Sequence, residues 1–286
     1  MRYAVILALF TALIVPLLSE TAQAQGMGNL TITPTRVIFE GRTRSDVVTL
    51  VNNGSVPATY RISVIEMRMR EDGGFERIEA GDDQSPAVSA KGMFRYAPRQ
   101  VELQPGQTQS IRILLRKPPE LAEGEYRSHL FVQAIPKEGS GRSVENLGGS
   151  QDMSVNLTII PGVTLPVIVR HGDLSATATL SDFSLGRVSQ GNPTPALSFK
   201  INRTGARSVY GDLTATYFPS GRNNGIVVSQ IKLLAVYVPN AARTVVMPLT
   251  IPEGVELAGG NIKVSFTTPP PEGSVEMATG EHTVPQ

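Results

Sequence analysis

Few residues in this sequence are spaced for catalysis. The three histidines, His129, His171 and His282, are far apart, and the sequence contains no His-x-x-x-His pair, Gly-x-Ser-x-Gly turn or Walker loop. Ser128 directly precedes His129 in a stretch that alternates like a strand, so the two side chains point to opposite faces and cannot act as a nucleophile and its base. The sequence therefore predicts that the protein is not an enzyme.

Acidic pairs offer one further chemistry, the binding of calcium. Glu71-Asp72 and Asp82-Asp83 lie in polar, loop-like stretches, where solvated carboxylates are the simpler interpretation. Because the chain has no cysteine, disulfides, thiol nucleophiles and thiolate metal sites are excluded. The sequence predicts neither a metal site nor a cofactor.

Composition indicates a β protein without affinity for nucleic acid. The formal net charge is +1 at pH 7, so no general attraction to a polyanion is expected. The chain has 27 glycines and 21 prolines but no tryptophan, and long helical periodicity is hard to find. Its length suits two domains of ordinary size, each able to bury its own core.

The first 24 residues have the layout of a secretory signal peptide. A short positive start at Arg2 precedes an apolar run from Tyr3 to Leu18, and the small-x-small triplet ends at Ala24. The run is shorter than the roughly 20 residues of a membrane span. We expect cleavage after Ala24, an exported and soluble mature chain that starts at Gln25, and no membrane insertion after cleavage.

The elements that follow are short strands separated by turns. Alternating runs recur at roughly 8–12-residue spacing with Gly, Pro or Asn between them, which is typical of antiparallel sandwiches. The segment "RHGD" at residues 170–173 is the natural boundary. The sequence thus predicts an all-β chain of two immunoglobulin-like β-sandwich domains in tandem, over residues 25–169 and 170–286. The proline-rich end, residues 269–286, is predicted to fray.

One strand has an unusually regular apolar face. In "MSVNLTIIPGVTLPVIVR", residues 153–170, Met153, Val155, Leu157 and Ile159 alternate with polar residues, after a polar, glycine-rich loop. An alternating face of this kind can fill the domain's own core or contact another protein. Both interpretations stay open on the pattern alone.

Several segments in the first half together resemble a known family. These are "ITPTRVIFEG", "VTLVNNGSVPATYRISV", "VELQPGQTQSIRILL", "EGEYRSHLFVQAIP" and the strand up to "VIVR". In order and spacing, residues 30–170 are similar to the N-terminal domain of periplasmic pilus-assembly chaperones of the P-pilus type. The second half fits that family in length and strand content but has no specific motif.

The resemblance implies a boomerang of two sandwiches in the periplasm that holds secreted pilin or fimbrial subunits and delivers them to an outer-membrane usher. Such a chaperone lends a strand to a subunit that lacks one, a form of β-augmentation. Met153, Val155, Leu157 and Ile159 would be the donated edge. Main-chain hydrogen bonds from this edge would cover a subunit edge that otherwise aggregates.

The resemblance also assigns charged residues. Arg36 matches the family's first cleft arginine, which would hold a subunit's terminal carboxylate by a bidentate pair. Glu125 and Arg170 match its interdomain ion pair. The family's second cleft residue is a lysine four positions before the arginine that Arg170 matches. That lysine is missing here: Pro166 stands in its place, and no Lys or Arg occurs between Gln151 and Val169. A basic residue from another strand, a different anchoring mode or a different client would account for this.

A second class of function stays open. A structural or adhesive exported protein with two sandwiches would need no client and would self-associate through the same strand edge. A chaperone instead predicts a client that aggregates without it.

Overall fold

A computed structural model describes residues 29–79, 88–136, 160, 162–190 and 192–286 of the chain. Within these ranges nearly all regular structure is β. The strands are β1 (Leu30–Thr33), β2 (Val37–Phe39), β3 (Ser45–Asn52), β4 (Ala58–Met69), β5 (Phe75–Ile78), β6 (Phe94–Ala97), β7 (Gln100–Leu103), β8 (Thr108–Leu115), β9 (Gly124–Ile135), β10 (Gly162–His171), β11 (Ala176–Gln190), β12 (Asn192–Gly205), β13 (Val209–Phe218), β14 (Ile226–Val236), β15 (Ala242–Pro248), β16 (Asn261–Thr267) and β17 (Glu276–Thr283). A 3₁₀ turn at Pro270–Glu272 is the one helical element of the described residues.

The first sandwich is built from β1 to β10. One sheet has the order β1-β3-β8-β6, and the other has the order β2-β10-β9-β4-β5 with β7 also paired to β4. Every ladder is antiparallel except that of β2 with β10. Alternation along β8 buries Ile111, Ile113 and Leu115 and leaves the residues between them outside. These side chains pack with Leu130 and Val167 of the facing sheet in one buried cluster.

The second sandwich has a three-stranded sheet, β11-β12-β15, and a four-stranded sheet, β14-β13-β16-β17. Burial alternates at every residue of β13, which places Leu213, Ala215 and Tyr217 in the core. Phe199 of the facing sheet and Phe266 of β16 belong to the same buried cluster. The prediction of two immunoglobulin-like sandwiches in an all-β chain is confirmed.

The C-terminal segment corrects one prediction, because it does not fray in this structure. Glu276–Thr283 form β17, which pairs with β16 over most of its length, and Val284 is buried. The prolines form the 3₁₀ turn that reverses the chain after β16, instead of leaving it without structure. Alternation after the turn then completes the sheet.

Two elements of the first sandwich, the β4–β5 hairpin and the end of β10, contact the second sandwich. The predicted boundary between residues 169 and 170 falls inside β10, whose ladder with β9 continues to His171. Met69 of β4 and Ile168 of β10 are buried in the core cluster of the second sandwich. The side-chain amide of Asn240 also donates to the carbonyl of Met69 at 2.9 Å. The β4–β5 hairpin and the end of β10 therefore contact the second sandwich directly.

Candidate functional site

A cleft of about 610 Å³ lies between the two sandwiches. Its lining is rich in charge: Arg36, Glu40 and Arg170 come from the first sandwich, and Arg207 and Glu272 come from the second. The remaining walls are mixed, with Ile38, Thr43, Leu174, Ser175, Ala176, Ser208, Val209, Tyr210, Thr268 and Met277. A pocket with three guanidinium groups favours an anionic ligand.

Arg36 lies between β1 and β2, where the chain passes from one sheet to the other. Its guanidinium donates to Glu272 Oε1 at 2.9 Å and stacks over the Tyr210 ring, 3.3 Å from the ring centroid. Burial lowers the pKa of Arg36, and electrostatic interactions with Tyr210 and Glu272 oppose that shift. Because arginine titrates far above neutral pH, the side chain remains a cation in the cleft.

Arg170 and Glu125 meet behind the cleft. Arg170 Nε donates to Glu125 Oε2 at 3.0 Å, and the exposed fractions of the two side chains are 5% and 1%. Glu125 also accepts hydrogen bonds from the backbone N–H and the hydroxyl of Ser208, a residue of the second sandwich. Arg170 Nη1 reaches Glu40 at 2.9 Å. The buried part of this network, Arg170 with Glu125 and Ser208, links β9 and β10 of the first sandwich to the start of β13.

The predicted residues therefore fall into two groups. Arg36 and Arg170 line one cleft, with Glu125 bonded to Arg170. The four residues proposed as a donated edge lie outside the described part of the chain: Met153, Val155, Leu157 and Ile159.

Pro166 occupies the place of the missing lysine. It lies opposite His129 in the ladder of β10 with β9, and Arg170 is the one residue of β10 in the cleft lining. Arg207, in the loop between β12 and β13, supplies a cation that sequence reasoning missed. A loop arginine has no pattern of its own, so only the packing of the two sandwiches reveals its position.

The edge of β10 is covered unevenly. β9 pairs with the whole strand from Gly162 to His171, whereas β2 pairs only with Val167–Val169 on the other side. Within the described residues, Gly162–Pro166 have no second ladder partner. An uncovered strand edge offers backbone groups to another chain.

The candidates for catalysis and metal binding that the structure describes make other contacts, and Asp82 and Asp83 lie outside the described residues. The Ser128 hydroxyl donates to Glu66 in a buried site, and the His129 ring contacts Phe75 edge-on with centroids 5.6 Å apart. Asp72 pairs with Arg70 at 2.9 Å. Among the residues described, no three His, Asp or Glu side chains are grouped to hold a metal ion.

His129 gives the fold a pH dependence. Burial lowers the pKa of His129 to about 3, whereas an unfolded chain has a histidine pKa of about 6.5. Between these values the unfolded chain binds a proton that the folded chain does not, so His129 lowers stability as pH falls through this window. Above pH 6.5 its contribution is fully present.

We expect His129→Gln to flatten the pH dependence of the unfolding free energy by up to about 1.4 kcal/mol per pH unit between pH 6.5 and 3. Urea unfolding of both proteins at pH 7, 6, 5 and 4 measures this. Burial raises the pKa of Glu66, but both proteins keep Glu66, so the comparison isolates the histidine. A difference between the two proteins that is constant with pH would contradict the prediction.

Comparison with known families gives an assignment for the first half. Residues 29–170 match the family described as pili and flagellar-assembly chaperone, PapD N-terminal domain. The chain belongs to this family. Its role is therefore that of a chaperone in pilus assembly, a binding function that needs no catalytic residue. The match covers β1 to β10 and includes Arg36, Glu125 and Arg170.

Solved structures of chaperones are similar over nearly the whole chain. A chain from the Salmonella enterica SafA pilin–SafB chaperone complex is 18% identical, with 91% of this chain and 99% of that chain covered and a TM-score of 0.42. A chain from the Acinetobacter baumannii CsuC–CsuE chaperone–tip adhesion subunit complex is 12% identical, with 90% and 99% covered and a TM-score of 0.42. The E. coli chaperone DraB is 15% identical, with 89% and 96% covered and a TM-score of 0.41. At these scores, the family assignment rests on the match over residues 29–170.

Two further findings are negative. No curated protein matches the sequence. The part of the chain that the structure describes contains no helix with the length and apolar character needed to cross a membrane.

Proposed function

We propose that this chain is a periplasmic chaperone that binds fimbrial subunits by donating a β-strand and passes them to an outer-membrane usher. The observation that carries the proposal is the match of residues 29–170 to the pili and flagellar-assembly chaperone family. The uncovered edge of β10 supports it, because strand donation needs an edge whose backbone groups are free to pair.

The alternation of β10 supports the choice of donated residues. Leu165, Val167 and Val169 are buried in the core of the first sandwich. If the same alternation continues toward the N-terminus, Leu157 and Ile159 share their side of the strand. Beyond the end of the sandwich, that side would have a client groove to fill instead of its own core. Met153 and Val155 follow the same parity.

Arg36 is the proposed anchor for a client carboxylate. It already holds one carboxylate, that of Glu272, at 2.9 Å, and the ring of Tyr210 fixes its plane. A terminal carboxylate in the place of Glu272 would set how far the client strand extends along β10. The anchor would thereby fix the register of the donated strand.

Arg36→Gln is expected to weaken client binding about tenfold to a hundredfold, because a hydrogen bond to a charged group contributes about 1.5–3 kcal/mol. The thermal midpoint should change little, since the Glu272 carboxylate of the pair is 46% exposed and an ion pair with such access to water contributes about 0–1 kcal/mol. Transfer of the client from its purified wild-type complex to increasing amounts of each variant measures the relative affinity. The control is Arg222→Gln, an exposed loop arginine of the second sandwich. Equal affinity in both variants would show that Arg36 does not bind the client carboxylate.

Purification from periplasm tests the function itself. A C-terminally tagged chain, recovered from the native host, is expected to bring down a secreted subunit in a one-to-one complex, identified by mass spectrometry. In a strain without the chaperone, the same subunit should be degraded or aggregated. Recovery of the chain alone, or of assemblies of this chain only, would favour a structural or adhesive protein.

A further inference from the structure

The cleft holds two of the chain's own carboxylates. Glu272 accepts from Arg36 at 2.9 Å. Glu40 accepts from Arg170 at 2.9 Å and lies 3.9 Å from Arg207 Nη1. The lining thus contains three guanidinium groups and two carboxylates, and both carboxylates are about half exposed, at 46% for Glu272 and 52% for Glu40. The arginine side chains of the cleft therefore already bind carboxylates.

The three cations differ in how far they are already bonded. Arg170 is buried and bonded to both Glu125 and Glu40, so it has little capacity for a ligand. Arg207 is different, because its side chain is 36% exposed and its contact with Glu40 is 3.9 Å. That separation exceeds the roughly 3.2 Å limit of a good N–H···O hydrogen bond.

We propose that Arg207, from the second sandwich, is the second cation of a two-point carboxylate site, together with Arg36 from the first. Glu272 is the resident carboxylate that an incoming one displaces from Arg36. This inference rests on the proposed function, because the incoming group is the terminal carboxylate of a client. Arg207 then substitutes for the basic residue that β10 lacks at Pro166.

Exchanging one carboxylate for another leaves no guanidinium group of the cleft newly unpaired. A carboxylate has two oxygens and accepts hydrogen bonds from two guanidinium groups at once. Replacing Glu272 by another carboxylate leaves Arg36 neutralised, while Arg207 gains a full partner. Because Glu272 follows two prolines on the exposed 3₁₀ turn, its side chain can leave Arg36 without disturbing a core. A site shared by both sandwiches would also make binding sensitive to their relative position.

A small ligand tests the site apart from strand donation. The mature protein is titrated with N-acetyl-leucine, which has a free carboxylate, and with N-acetyl-leucine amide, which has none. The Nε–Hε NMR signals of Arg36 and Arg207, assigned from lysine variants, report on each contact. We expect N-acetyl-leucine to shift both signals and the amide to shift neither.

The variants give opposite directions. Arg207→Gln should raise the dissociation constant of N-acetyl-leucine about tenfold, as loss of a charge-assisted hydrogen bond does. Glu272→Gln should lower it about threefold by removing a competitor worth little in water. The control Arg222→Gln should leave it unchanged. Thermal midpoints of all variants verify that each is folded.

Several results would overturn the inference. They are an unchanged dissociation constant in Arg207→Gln, equal shifts with the amide, or no shift of the Arg207 signal in the wild-type protein. A failed search for a periplasmic client contradicts the proposed function but leaves these titrations interpretable, because N-acetyl-leucine cannot pair with β10. Conversely, a client that binds equally well to Arg207→Gln contradicts this inference alone.

Discussion

Leu157→Glu is expected to abolish capture of the client and to leave the thermal midpoint of the free chain near that of the wild type. The reason is that a donated side chain enters an apolar groove only in the complex, where a carboxylate without a partner is strongly disfavoured. In the free chain the same carboxylate would remain in water. Co-purification from periplasm and thermal unfolding of the variant alone measure the two parts of this prediction.

Two control variants define the outcomes. Thr158→Glu places the same charge one residue along, on the opposite face of the strand, and should retain capture. Ile113→Glu places it in a fully buried core position and should destabilise the fold by several kcal/mol. If the midpoint of Leu157→Glu falls as far as that of Ile113→Glu, Leu157 belongs to the core and the donor hypothesis is wrong.

Arg170→Met is expected to lower the free energy of unfolding by about 3–5 kcal/mol, because it leaves a buried carboxylate without its counter-charge. The remaining partner of Glu125 would be Ser208, a neutral residue. A solvent-exposed pair of this kind would contribute only about 0–1 kcal/mol. The structure places both side chains almost wholly out of water, so the larger figure applies.

The double variant Glu125→Gln with Arg170→Met separates charge from packing. Removing both charges should cost less than removing Arg170 alone, since no unpaired ion then remains buried. Denaturant unfolding of the wild type, both single variants and the double variant gives the coupling energy. A double variant less stable than Arg170→Met would show that the pair acts through packing and not through charge.

Much of the fold follows from local patterns. Alternation in "EYRSHLFVQAIP" and "TQSIRILL" predicts β9 and β8, because a half-buried strand repeats its environment every second residue. Turn residues such as Pro105-Gly106, between β7 and β8, mark where one strand ends and the next begins. Three residues of the site, Arg36, Glu125 and Arg170, were predicted from the resemblance to the chaperone family, and the family match includes them.

Other features depend on contacts between distant segments. Met69 and Ile168 are apolar residues on strands of the first sandwich, yet they are buried in the core of the second. Arg207 and Glu272 come to the cleft from a loop and from a proline turn more than 60 residues apart in the chain. Since neither has a distinctive neighbourhood in sequence, only the packing of the two sandwiches brings them to Arg36. The misjudged C-terminal segment has the same cause, because its strand depends on pairing with β16.

Amide hydrogen exchange of the purified chaperone–client complex tests strand donation most directly. If the segment Met153–Ile159 pairs with the client, its amides become protected in the complex, together with those of Gly162–Leu165 on the uncovered edge of β10, and exchange faster in the free chain. The same protection should be lost for Leu157→Glu mixed with the client. Exchange in residues 153–165 that is equal with and without bound client, with protection elsewhere, would contradict the proposal.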